Sequence, residues 1–209
     1  MFKALFTKDL HFDGKMVTLT VVSTLLIMLD YYQPFSFNKP FERFFLYLVI
    51  PLGIIIFAFR ENPKAYGFCF GDWKAGLFLT VGGAALMTPV IWLLARSDAS
   101  IQRYYQTWLV PNLIGRNVLE LLGWEFLFRG WLLFGYARKY GPDALWLQAV
   151  PFALAHIGKP GIETFSTIFG GFAFGWVAWR TRSFLYPCII HWFIATLIVL
   201  IAAGVLGVK

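Results

Sequence analysis

Long apolar runs separated by short polar segments dominate the chain, and they lack the one-in-two alternation of barrel strands. Peptide groups left unpaired in hydrocarbon are costly, so each run predicts a helix that satisfies its own backbone. The runs fall at about 16–33, 44–60, 75–95, 113–137, 142–158, 162–179 and 184–206, against a requirement of roughly 20 residues per crossing. The pattern predicts an all-α, polytopic transmembrane helical bundle of about seven crossings, seven or eight. The fifth and sixth runs are short and meet at Gly158-Lys159-Pro160-Gly161, which predicts a tight helical hairpin. Residues 61–74, with Asn62-Pro63 and Gly71-Asp72-Trp73-Lys74, predict a surface stretch at headgroup level, where Trp and Lys are favoured. Residues 1–112 are expected to form supporting transmembrane helices, and residues 113–209 a core that carries the chemistry.

Composition narrows this further. With 59% of 209 residues apolar and 14% charged, a water-soluble globule is excluded, because a soluble fold of this size cannot hide so much hydrocarbon. Disorder and a disulfide scaffold fall with it; Cys69 and Cys188 lie in or beside apolar runs without metal-ligand spacing. The net charge of +7 does not indicate a nucleic-acid partner, since the cations form short clusters between apolar runs and not one stripe. If there are seven crossings, Lys3, Lys8, Lys15, Arg60, Lys64, Lys74, Arg138, Lys139, Arg180 and Arg182 share one side, which puts the N-terminus in the cytoplasm. The first fifteen residues include Lys3, Lys8, Asp9, Asp13 and Lys15 and no apolar stretch ending in a small-residue cleavage site, so no cleavable leader is expected.

Ionisable groups inside a bilayer cost roughly 2.5–3.5 kcal/mol each by insertion scales, so those in the runs need an explanation. In the fourth run Glu125 and Arg129 are four residues apart, on one face and able to pair. Glu120 lies about 140° around the helix from Glu125 and shares a face with Trp124; Arg116 is its nearest helical partner. His156 is placed in the fifth run and His191 in the seventh. A carboxylate and two imidazoles meeting within the membrane could activate water, stabilise an oxyanion or bind a metal. Glu163, one short turn after His156, is expected to contact that imidazole or to cap the sixth helix. Asp30 is expected at the interface with Tyr31 and Tyr32.

The order Glu125-x-x-x-Arg129-Gly130, Phe152-x-x-x-His156, Gly175, then Thr181-Arg182-Ser183 leading to His191, resembles the CPBP family. That family comprises CAAX prenyl proteases of the Ras-converting type and bacterial Abi, bacteriocin-processing and lysostaphin-resistance-like proteins. The resemblance covers about residues 115–200, with an echo at Gly71-Asp72-Trp73-Lys74-Ala75-Gly76. It implies a glutamate-dependent intramembrane endopeptidase, long suspected of being a metalloprotease, in the plasma (inner) membrane of a bacterium. The family's paired Glu residues fall here on Trp124 and Glu125, and its oxyanion-binding Asn on Ala195, so the first Glu and the Asn are missing. Tryptophan cannot accept a proton from water, and alanine supplies no hydrogen bond.

The expected chemistry is hydrolysis of a peptide bond in a membrane-associated protein or peptide. Water would be activated by Glu125 or Glu163 with His156, His191 would donate to the oxyanion, and Arg129 would hold Glu125 ionised. Membrane lipid is the other expected partner. The alternatives are a non-catalytic scaffold or immunity-type protein, a small transporter or proton relay, and a zinc hydrolase. The last is less favoured because the two His and one Glu lack local helical ligand spacing; no cofactor is expected.

Overall fold

The computed structural model describes residues 11–32 and 38–206, and among them there are helices and turns but no strand. Lys3, Lys8 and Asp9, which entered the sidedness and leader readings, lie outside the described residues. The helices are α1 (Gly14–Tyr32), α2 (Lys39–Ala58), α3 (Trp73–Ser97), α4 (Ala99–Tyr105), α5 (113–140), α6 (Ala144–Leu154), α7 (Gly161–Thr181) and α8 (Leu185–Ala202). Their starts are capped as polar side chains before apolar runs predict: Asn38, Asp72 and Asp98 accept backbone N–H groups of the first turns of α2, α3 and α4.

Four helices, α1, α2, α3 and α8, are long and apolar enough to cross a membrane, so the count of about seven crossings is not confirmed. The difference has physical causes. α5 carries Arg116, Glu120, Glu125 and Arg129 along its length. α6 has 11 residues, about 16 Å of rise against a hydrocarbon layer of about 30 Å. The fifth run therefore is a short helix that stops at Leu154, followed by a turn over 155–159, and His156 lies on that turn instead of inside a helix.

Ion pairs define two ends of the bundle. At one, Glu61 joins Lys15 at 2.5 Å and Arg138 at 2.5 Å, tying the start of α1 and the last turn of α5 to the segment after α2. Tyr66 also donates to Glu61, at 2.7 Å. Segment 67–72 lies across the α7–α8 turn at this same end, with Asp72 N–H on Thr181 O at 2.8 Å and Tyr186 Oη donating to Phe70 O at 2.7 Å. Gly71 is required there, because a Cβ would stand 2.0 Å from Thr181 O. At the opposite end Arg43 joins Asp30 at 3.0 Å and also Glu120.

A large aromatic core, including Trp131, Phe126, Phe128 and Phe152, fills the space around the buried part of α5. α5 widens to a π-helical stretch at Phe126–Leu132, where Leu133 N–H reaches back to Phe128 O. Such stretches shift the helical register and recur at functional sites. This one begins one residue after Glu125 and contains Arg129.

Candidate active site

Glu125 and Arg129 project from α5 into the bundle with both side chains fully buried, and Arg129 Nη1 donates to Glu125 Oε1 at 3.2 Å. Across the interface, His191 on α8 brings Nδ1 to the same oxygen at 2.6 Å. With Glu125 as the accepting carboxylate of this contact, Nδ1 is the donor and Nε2 keeps its lone pair. The imidazole is the accessible end of the pair: its side chain is 12% exposed and that of Glu125 is 0%. Arg129 is flanked by aromatic faces, its Cζ lying 3.9 Å from the Phe152 ring centroid and 5.3 Å from that of Phe174. The guanidinium is therefore held by π faces as well as by the carboxylate. Four polar atoms in this neighbourhood are nonetheless buried without a hydrogen-bond partner: Glu125 Oε2, Arg129 Nε and Nη2, and Trp124 Nε1. Buried polar atoms are normally satisfied, so such a concentration marks a place where a reacting group could be bound.

His156 stands beside this group. Its Nδ1 is 2.7 Å from Phe152 O, an acceptor, so Nδ1 donates and Nε2 is the basic nitrogen. Its ring lies edge-on to Trp124, with centroids 5.6 Å apart, and 4.5 Å from Phe152. The ring of Phe152 also approaches His191, at 6.0 Å. Thr164 Oγ1 donates to His156 O at 3.0 Å, which anchors the turn to α7.

Glu163 is held elsewhere. Lys159 Nζ donates to it at 2.8 Å and Tyr105 Oη at 2.6 Å, so its carboxylate belongs to a cluster of α4, the 155–159 turn and α7, and not to the His156 imidazole. The expected His156–Glu163 contact is not formed because Lys159, four residues before Glu163, competes for the carboxylate with a full charge.

Glu120 also has a different partner. Instead of Arg116 it takes Arg43, whose Nε and Nη2 bind Asp30 at 3.0 and 3.2 Å. Asp30 is 6% exposed, so it lies inside the bundle and not at the interface with Tyr31 and Tyr32. Lys39 adds a second cation to it at 2.8 Å. The Arg43 guanidinium lies 4.9 Å from the Trp124 ring centroid, on a residue that also contacts His156. Arg43 and Tyr105 were missed in the sequence. The signal for Arg43 is positional, since Asp30 closes one helix and Arg43 opens the next, which antiparallel packing brings together.

An apolar cavity of about 440 Å³ lies between α5 and α8, lined by Val118, Leu122, Tyr186, Cys188, Ile189 and Trp192. Cys188 is one helical turn before His191 and packs in the same core as Trp124 and Phe152. Among the described residues no group of three or more His, Cys, Asp or Glu side chains is placed to hold a metal ion. The one Glu125 oxygen that has partners is already taken by Arg129 and His191.

A bundle with an acid–imidazole pair at its centre is the class of protein that the structure defines. Residues 106–197 match the family model described as type II CAAX prenyl endopeptidase Rce1-like. The matched segment contains Glu125, Arg129, His156, Glu163 and His191, and the match supports assignment of the chain to the CPBP family. No curated protein and no solved structure matches the chain.

Proposed function

We propose that the protein is an intramembrane endopeptidase of the CAAX-protease type, hydrolysing a peptide bond in a membrane-associated protein or peptide. The observation that carries this reading is the 2.6 Å contact between Glu125 Oε1 and His191 Nδ1, made across two helices inside an apolar core. In this reading Glu125 orients His191 and stabilises the imidazolium that forms when Nε2 takes a proton from water. The hydroxide equivalent adds to the scissile carbonyl, and His191 then passes the proton to the leaving amine. Arg129 pairs with Glu125 and holds it in place. His156 Nε2 serves as a second acceptor for the attacking water. The Trp124 N–H, buried without a partner, is the donor for the oxyanion, a part for which the side chain that replaces the family's first Glu is chemically suited. The apolar cavity beside the pair suits the hydrocarbon part of a lipid-modified substrate. No step passes through a metal.

The test is cleavage of a prenylated CAAX-motif peptide in proteoliposomes, read by mass spectrometry. The intact protein should release the terminal tripeptide, and Glu125→Gln and His191→Ala should each abolish release while the folded protein is recovered in equal yield. Cleavage that survives both substitutions overturns the reading.

A second reading, a CPBP-type membrane scaffold without catalysis, is favoured by one observation. Trp124 stands where the family has its first Glu, its ring packed between Arg43 and His156. In that case biological activity persists in Glu125→Gln wherever the protein folds. A transporter or proton relay would instead show ion flux in liposomes that is lost with His156→Ala.

A further inference from the structure

The end of the bundle that carries Glu61 and the α7–α8 turn exposes cations and aromatic rings together. Phe57, Phe70 and Trp73 are 79%, 76% and 59% exposed. Arg60, Lys64, Lys74 and Arg182 are exposed around them and make no ion pair among the described residues. Lys74 Nζ lies 5.8 Å from the Trp73 ring centroid, and the Arg182 guanidinium 5.5 Å from that of Trp179. The surface is fixed in place, because segment 67–72 is bonded to the α7–α8 turn through Asp72 N–H, Phe184 N–H and Tyr186 Oη.

Two of the cations sit where a side chain is unfavourable. Arg60 has φ +55° and Arg182 φ +58°. Ser183 N–H closes on Ala178 O, so Arg182 is the left-handed residue that ends α7, a position commonly held by glycine. Glu61 N–H likewise closes on Ile55 O just after Arg60. The same end uses glycine at three other positive-φ positions, Gly67 and Gly71, where a Cβ would collide with Phe134 and Thr181, and Gly141, where it would meet nothing. At 60 and 182 the chain accepts the backbone cost of a side chain and places an arginine each time.

We propose that this face binds the phosphodiester headgroups of acidic phospholipids, with Arg60, Arg182, Lys64 and Lys74 on the phosphates and Phe57, Phe70 and Trp73 inserted at the acyl boundary. Aromatic rings beside unpaired cations are the combination that an anionic bilayer surface favours. The inference does not depend on the proposed protease activity.

The test uses the full chain in phosphatidylcholine proteoliposomes containing spin-labelled phosphatidylglycerol or phosphatidylcholine, with the relative association of the two labels read by electron paramagnetic resonance. The intact protein should favour phosphatidylglycerol several-fold. Arg60→Gly with Arg182→Gly should bring that preference to within about twofold of unity, each juxtamembrane cation contributing about fivefold at most. The same double variant should melt no lower than the intact protein, because glycine relieves both left-handed residues. Lys64→Gln with Lys74→Gln, at positions without backbone strain, provides a second pair and should weaken the preference as well. Arg96→Gln with Arg103→Gln, at the opposite end, should leave it unchanged. Equal association of both labels with the intact protein overturns the proposal. So does a preference that survives both lipid-face pairs, or one that the opposite-end pair removes to the same degree.

Discussion

Two buried ion clusters share α5 and differ in how completely they are satisfied. In the first, Arg43 spans Asp30 and Glu120, Lys39 adds to Asp30, and no atom of these charged groups is buried without a partner, although the neighbouring Tyr47 Oη and Glu42 Oε1 are. In the second, Arg129 and His191 converge on one oxygen of Glu125, while the other oxygen, two Arg129 nitrogens and the neighbouring Trp124 N–H have no partner. A closed cluster joins helices; an open one retains hydrogen-bonding capacity for something that is not part of the fold. The clusters lie five residues apart along α5, at Glu120 and Glu125, on faces that look toward α2 and α8 respectively.

The largest expected effects separate these roles. Glu125→Gln should lower peptide cleavage by about 10³-fold or more, the scale on which an orienting carboxylate acts, with a small change in melting temperature, since a Gln carbonyl still accepts from Arg129. Arg43→Met should behave in the opposite way. It leaves the partly buried Glu120 without its cation and Asp30 with Lys39 alone, and should cost about 3 kcal/mol of stability, the lower end for a broken buried pair. Changing Asp30, Arg43 and Glu120 together to apolar residues of similar size should recover most of that loss, as replacement of a whole buried cluster does. If the triple variant is as unstable as Arg43→Met, that cluster does more than join helices. Paired cleavage and thermal-unfolding measurements on the same preparations decide it.

Smaller effects sharpen the contrast. Trp124→Phe keeps the ring between Arg43 and His156 but removes the unpartnered N–H. It should lower the rate of cleavage by about 10²-fold with little change in KM if that N–H serves the oxyanion. If the ring only fills space, the kinetics stay unchanged. Gly123→Ala tests packing alone, because the added Cβ would lie 2.5 Å from Arg43 O and 2.9 Å from Phe44 Cα, forcing α2 away from α5. A loss of about 1–3 kcal/mol in unfolding experiments is expected.

The helical class and the Glu125–Arg129 spacing are legible in the sequence because they depend on local periodicity, and the motif order through the resemblance to the CPBP family. What was not legible depends on which helices become neighbours. Glu120 has a good local candidate in Arg116, yet the structure gives it Arg43, 77 residues away, because that guanidinium already lies beside Asp30. The reading of Asp30 as interfacial failed for the same reason: its burial is made by α2, not by its own helix. The length of its apolar run places His156 inside a helix, but the helix stops at Leu154, and His156 N–H on Ala153 O, Ile157 N–H on Leu154 O, Lys159 N–H on His156 O and the Thr164 hydroxyl define a turn. Glu163 was offered as a base from proximity along the chain; Tyr105, 58 residues earlier, accounts for its position.

The third charged cluster, around Glu61, completes the series from buried and open to exposed and closed. Burial pushes the Glu61 carboxyl up, but hydrogen bonds from Lys15, Tyr66 and Arg138 outweigh it and hold the group at about 2 against an ordinary value of 4.5. A depressed carboxyl contributes stability that is fully present above the unfolded value and is lost as pH falls toward the folded one. The intact protein and Glu61→Gln should therefore differ most in melting temperature above about pH 5, and their melting curves should converge as the pH approaches 2. With the Glu61 side chain 21% exposed and its two cations 48% and 36% exposed, solvent screening reduces the difference to about 1 kcal/mol. Cleavage by Glu61→Gln should stay within about twofold of the intact protein, since this cluster fastens α1 and α5 at the end of the bundle and touches neither Glu125 nor His191. A Glu61→Gln variant that melts normally but fails to cleave would mean that this end of α5 governs the geometry of the Glu125–His191 pair, and the division between fastening and reacting clusters would fail.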